Sequence, residues 1–277
     1  MTQTRALTDG TTLPAIGFGT YPLRGEQGIN SIVSAIDLGY RLIDTAVNYG
    51  NEGEVGEAIR RSSIPRGELQ ITSKLPGRDH GYDDALASVQ ASLDRLGLDY
   101  LDLHLIHWPN PSVGKYTDAW RALVELQQQG LIRSIGVSNF TEEHLNRIIS
   151  DSGFTPVVNQ IELHPAFPQE HMREVNGRLG IQTESWSPLG KRKPAFTETP
   201  VAAPGARHGV TPAQVILRWH VQLGSIPIPK SGTAQRQREN LDIFGFELSE
   251  DEMTAITALG QRDGRLFGAD PNTHEEM

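Results

Sequence analysis

The chain has no cysteine among its 277 residues, which removes disulfides, thiolate metal sites and a cysteine nucleophile in one step. It has no apolar run long enough to span a bilayer. Its start, Met1-Thr2-Gln3-Thr4-Arg5-Ala6-Leu7-Thr8-Asp9-Gly10, holds no continuous stretch of signal-peptide length, so a cytoplasmic location is expected. Basic residues are outnumbered, 25 Lys and Arg against 34 Asp and Glu, for a formal charge of −9. That balance disfavours nonspecific attachment to nucleic acid or to an anionic membrane, while leaving room for a local basic pocket that holds a phosphate. Two motifs are missing as well. Gly17-Phe18-Gly19-Thr20-Tyr21-Pro22 supplies only the first pair of a Gly-x-Gly-x-x-Gly fingerprint, with no helix directly behind it, so a Rossmann domain is not supported. No His-x-x-x-His pair or acidic triad falls on one expected element, and no metal is expected.

What the chain does have is alternation. Short, β-rich apolar runs recur at 16–19, 42–46, 70–74, 100–107, 134–138, 157–162, 181–186 and 225–230. Helical periodicity appears between them at 29–38, 51–61, 83–96, 118–128, 142–150, 170–179 and 212–222. Thr211-Pro212 reads as a cap followed by proline at the first helical position. Eight strands alternating with helices favour a closed (β/α)8 TIM barrel over an open sheet, built as one domain over residues 1–277. Ahead of the barrel, Asp9-Gly10 between two short runs signals a β-hairpin, expected to close the barrel floor. Residues 190–209 and the tail 260–277 break the regular loop lengths and read as lids or specificity elements, with the tail expected over the barrel mouth; flexible surface is the plainer alternative.

Barrel enzymes carry their chemistry on the rim, because the strand interiors are packed solid. Four polar residues fall at or just beyond strand ends: Asp44 and Tyr49 in Asp44-Thr45-Ala46-Val47-Asn48-Tyr49, Lys74 in Ile71-Thr72-Ser73-Lys74, and His107 in Leu105-Ile106-His107-Trp108. If His107 faces the barrel axis, strand alternation puts Leu105, Leu103 and Leu101 on that side and turns Asp102 and His104 toward the helices. Taken singly, a histidine is more often a satisfied core residue and Tyr49 a packed aromatic. The grouping points elsewhere. A phenol with a pKa of about 10 is a poor donor near neutrality, and a nearby ammonium lowers it. Lys74 supplies that charge, Asp44 keeps it protonated, and His107 can donate to a carbonyl oxygen as negative charge develops there. This is the outline of a carbonyl-reducing site.

No side chain donates hydride, so a nicotinamide or flavin is implied. The phosphate-binding candidate follows the eighth run, in Pro229-Lys230-Ser231-Gly232-Thr233-Ala234-Gln235-Arg236-Gln237-Arg238-Glu239-Asn240, where barrels commonly hold phosphates; a solvated helix face is the plainer alternative. Ser138-Asn139 and Asn159-Gln160 suit a carboxamide, and Trp186 a flat ring.

With these motifs in order, together with Gly136-Val137-Ser138-Asn139-Phe140, Ser187-Pro188-Leu189-Gly190 and Ile228-Pro229-Lys230-Ser231, the chain resembles the aldo-keto reductase family over nearly its whole length. Tryptophan at 186 is similar to the bacterial 2,5-diketo-D-gluconate reductase group. The resemblance implies NADPH extended across the C-terminal rim, Tyr49 as the acid, Lys74 and Asp44 tuning it, and His107 orienting the carbonyl. It further implies Ser138, Asn139 and Gln160 on the carboxamide, Trp186 against the ring, and Ser187 and Leu189 among the cofactor contacts. Lys230, Ser231 and Arg236 match positions for the 2′-phosphate; Glu239 and Asn240 match adenine contacts. Phe18, Tyr21, Trp108 and Phe267 read as pocket walls around a small carbonyl substrate such as a keto-sugar or α-dicarbonyl. A monomer is expected. The competing readings are a redox-sensing nucleotide-binding regulatory subunit on the same fold, and an aldolase-like barrel with Lys74 as a Schiff-base nucleophile.

Overall fold

Eight parallel strands, hydrogen-bonded in chain order, form the centre of the computed structural model, which describes residues 3–191 and 193–276; Met1, Thr2, Arg192 and Met277 lie outside the described residues. Before the ring comes a hairpin, β1 (Thr4–Ala6) antiparallel to β2 (Thr12–Pro14). The ring follows as β3 (Phe18–Gly19), β4 (Leu42–Asp44), β5 (Gln70–Leu75), β6 (Leu101–Ile106), β7 (Ile132–Ser138), β8 (Val158–Glu162), β9 (Gln182–Trp186) and β10 (Ile226–Pro227). It closes through the backbone: Gly17 N donates to Pro227 O at 3.0 Å and Gly19 N to Pro229 O at 3.1 Å. The last strand is shorter than the apolar run 225–230, because Pro227 and Pro229 have no N–H to donate to a ladder.

The helices are α1 (Gly25–Leu38), α2 (Glu52–Arg61), α3 (Tyr82–Leu96), α4 (Tyr116–Gln128), α5 (Glu142–Ser152), α6 (Glu170–Leu179), α7 (Thr199–His208), α8 (Pro212–Gln222), α9 (Ala234–Leu241) and α10 (Glu250–Thr257). Capping sets several of their starts. Thr211 accepts from Gln214 N while the Gln214 side chain accepts from Thr211 N, and Ser249 and Glu252 repeat this box on α10. Residues 190–209 are therefore not all loop, and α7 packs Val201 with Val215 and Trp219 of α8 in one apolar cluster.

Strand alternation sorts the core into two layers. Leu42, Leu103, Leu105, Val158 and Ile226 fill the barrel, while Ile43 and Ile71 belong with Ile29, Ile36 and Val55 in the layer under the helices. Each such side chain contributes roughly 1.5–3 kcal/mol on full burial. Leu101 departs from the expected parity and joins the outer cluster. Leu7 and Leu13 of the hairpin region enter the inner cluster, and Ser134 Oγ at the start of β7 donates to Asp9 Oδ2 at 2.6 Å, so the hairpin closes the floor. The floor is sealed and the interior is packed. Only the opposite rim, where β4 delivers Asp44 and β5 delivers Lys74, remains for chemistry.

Candidate active site

Lys74 has no solvent exposure, and its ammonium donates to Asp44 Oδ1 at 2.6 Å, Thr45 O at 2.9 Å and Tyr49 Oη at 3.3 Å. Asp44 arrives on the inward face with Leu42. Tyr49 arrives by a 3-10 turn (Val47–Tyr49) that Gly50 ends in the left-handed region, φ 61°. Asn51 pins that turn: its Oδ1 accepts from Thr45 Oγ1 at 2.7 Å, and its Nδ2 donates to Thr20 O and Leu23 O. Arg24 donates to Tyr49 O at 2.7 Å.

Charge in this group does not follow the simple sequence expectation. Burial disfavours the Lys74 ammonium, but Asp44 and Tyr49 outweigh it and hold the group above the ordinary lysine value. For Tyr49, burial pushes the phenol up; Lys74 pulls it down, Asp44 opposes that pull, and the net direction is upward rather than the expected lowering. Tyr49 keeps its proton and Lys74 its charge.

His107 closes the other side, with ring centroids 5.7 Å from Tyr49 in an edge-on arrangement and its carbonyl accepting from Asn139 Nδ2 at 3.0 Å. His107 Nδ1 lies 2.9 Å from Glu276 Oε1. Burial works against the Glu276 carboxylate, yet His107, Asn48 and Lys74 hold it below the usual range.

Beneath these groups the sheet supplies a polar network. Gln160 Nε2 donates to Asp44 Oδ2 and to Glu184 Oε2, both at 2.9 Å. Ser138 Oγ donates to Gln160 O at 2.8 Å, Asn139 Nδ2 to Ser138 Oγ at 3.0 Å, and Trp186 Nε1 to Asn139 Oδ1 at 2.7 Å. Burial pushes Glu184 up to about 7, with Asp44 adding to the rise and Gln160 opposing it.

The groups open into a cleft of about 870 Å³ whose lining includes Tyr21, Asp44, Tyr49, His107, Trp108, Asn139, Gln160, Trp186, Ser187, Leu189, Lys230, Phe267 and Glu276. Trp108 is a buried wall, 6.4 Å from Trp186 and 4.2 Å from His274 between ring centroids. Tyr21 and Phe267 are exposed rim residues, at 53% and 71%. Phe18 is a correction. It is fully buried against Tyr40, at 5.3 Å, in the outer core, because on β3 the cleft-facing position belongs to Gly19. Beyond Lys230, Ser231 is buried and accepts from Thr233 N, and Arg236 is exposed on α9. Gln237 fixes α9 by donating to Ser31 O and Ser231 O. Glu239 accepts from Gln235, Asn240 is buried, and the Tyr40 hydroxyl donates to Gln237 O at 3.2 Å.

Sequence reasoning missed Glu184, Lys191, His274 and Glu276. Glu184 was findable, two residues before Trp186 on one strand and so on the same face. Glu276 carried no signal, since a tail side chain has no periodicity to read.

Residues 15–261 match the Aldo/keto reductase family. The chain belongs to that family. It is 56% identical over 274 residues to 2,5-diketo-D-gluconic acid reductase B of Corynebacterium sp. (strain SHS752001), covering 99% of this chain and 98% of that one. Among solved structures, it superposes on apo Gox0644 with a TM-score of 0.95 at 44% identity, each chain covered to 99%. A Gox0644 mutant in complex with NADPH gives a TM-score of 0.94 with the same identity and coverage. A Bombyx mori aldo-keto reductase in complex with NADP gives 0.91 at 33% identity, covering 99% of this chain and 98% of that one. Among the described residues, no helix is long and apolar enough to cross a membrane, and no group of three or more His, Asp or Glu is placed to hold a metal ion.

Proposed function

We propose that the protein reduces small aldehydes and ketones, among them keto-sugars and α-dicarbonyls, to alcohols with NADPH, taking the proton from Tyr49. The observation that carries this reading is the buried ammonium of Lys74 bonded to both Asp44 and the Tyr49 hydroxyl at the floor of the cleft. Tyr49 holds its proton until a carbonyl oxygen arrives. Lys74 then stabilises the phenolate that proton transfer creates, Asp44 keeps Lys74 charged, and His107 donates to the same oxygen. Their contributions are of the size general acids supply, ~10²–10⁴ in rate.

The donor set suits a nicotinamide dinucleotide. Ser138, Asn139 and Gln160 converge in one network at the cleft base, Trp186 offers a flat face beside them, and Ser187 and Leu189 line the same wall. When bound, the nicotinamide supplies the hydride that no side chain can. Lys230, Ser231 and Arg236 would hold the 2′-phosphate, with Glu239 and Asn240 toward the adenine. NADPH and NADP in the related structures support this assignment. Tyr21, Trp108 and Phe267 form the substrate side. The Schiff-base alternative is disfavoured, because its nucleophile must be a free amine and Lys74 is held charged.

Loss of NADPH absorbance with a panel of aldehydes, α-diketones and keto-sugars tests the reading. Turnover is expected. Tight NADPH binding with no turnover on any carbonyl would favour the regulatory-subunit reading instead.

A further inference from the structure

Among the described residues, two carboxylates line the cleft, and only one of them is neutralised by a buried cation. Asp44 is paired with Lys74; Glu276, on the tail, sits instead against His107. The tail reaches this position through specific contacts. Leu266 N donates to Glu162 Oε1 at 2.5 Å, Asn110 Nδ2 to Glu276 O at 2.5 Å, and Ser112 N to Glu275 Oε1 at 2.8 Å. The chain passes so close to Gly77 that a Cβ there would lie 2.1 Å from Glu276 O and 2.0 Å from Asn110 Nδ2. The placement aims the carboxylate inward, with Oε1 against His107 and Oε2 buried.

We propose that Glu276 is a specificity-determining residue, which makes the cleft accept neutral carbonyl compounds and reject those with a carboxylate directly on the reacting carbonyl, the 2-oxo acids. The inference rests on the reductase reading, which puts the carbonyl oxygen on His107 and Tyr49. A group on the carbonyl carbon that points toward the tail then lies beside Glu276. A substrate carboxylate there brings a second negative charge beside the first, in a partly desolvated site where like charges are costly. The effect is positional. Lys191 Nζ lies at the rim, 4.6 Å from the Phe267 ring centroid, so a carboxylate distant from the reacting carbon meets a cation instead.

The test compares kcat/KM with NADPH for glyoxylate and for its methyl ester, in the full chain, in Glu276→Gln and in a chain lacking residues 275–277. The wild type should prefer the ester. Both variants should raise the acid-to-ester ratio about tenfold or more. An equal change for both compounds, an unchanged ratio, or a wild type that prefers the acid would overturn the inference while other carbonyls still turn over. Absence of turnover with every carbonyl would instead overturn the reductase reading, and the inference with it.

Discussion

One side-chain amide, Nε2 of Gln160, bridges two carboxyl groups, donating to Asp44 and to Glu184 at 2.9 Å each. The two carboxyls are unlike: Asp44 is paired with Lys74, whereas burial pushes Glu184 up to about 7.

A carboxyl whose pKa is raised on folding favours the folded state while protonated. That contribution is complete below the ordinary glutamate value and is lost as pH rises toward about 7. Glu184→Gln keeps an uncharged acceptor for Gln160 and removes the titration. Relative to wild type, the variant should gain roughly 1–3 kcal/mol at pH 8 over its difference at pH 5. Urea unfolding at the two pH values measures this, and a pH-independent difference would contradict it.

Lys74→Met strands the Asp44 carboxylate in the barrel mouth. Loss of one partner of a buried pair typically costs about 3–5 kcal/mol. Adding Asp44→Asn should restore part of that stability while leaving reduction abolished. A double variant as unstable as the sum of the singles would show that the pair is not coupled.

Much of this arrangement was legible in the sequence, because strand ends on a barrel rim are few and polar residues there are conspicuous. Asp44, Lys74 and His107 could be placed by periodicity alone, and Tyr49 by its distance from the strand. Phe18 could not: a two-residue strand between glycines gives no alternation to fix its face, and the ring turned to the core. The helix in 199–208 was hidden by its prolines, although Pro200 sits in the first turn, where no N–H partner is needed. The box Ser249-Glu250-Asp251-Glu252 was a readable start for α10 that the strand count passed over. The direction of the Tyr49 shift needed the structure, because it depends on how deeply burial offsets Lys74.

Arg236 is exposed on α9, whose position depends on Gln237, so charge reversal there should leave the fold intact. Arg236→Glu should weaken NADPH at least about tenfold more than NADH, since the loss is of a charge-assisted phosphate contact. Cofactor titration by tryptophan fluorescence measures both. Equal losses would contradict the 2′-phosphate assignment.

The most direct test of the account is Tyr49→Phe, which removes one hydroxyl and keeps the ring packed against Tyr21, at 5.1 Å, and His107. Single-turnover reduction of an aldehyde with NADPH should fall by ~10²–10⁴ or more, with NADPH affinity nearly unchanged. Turnover within a few-fold of wild type would contradict Tyr49 as the proton donor.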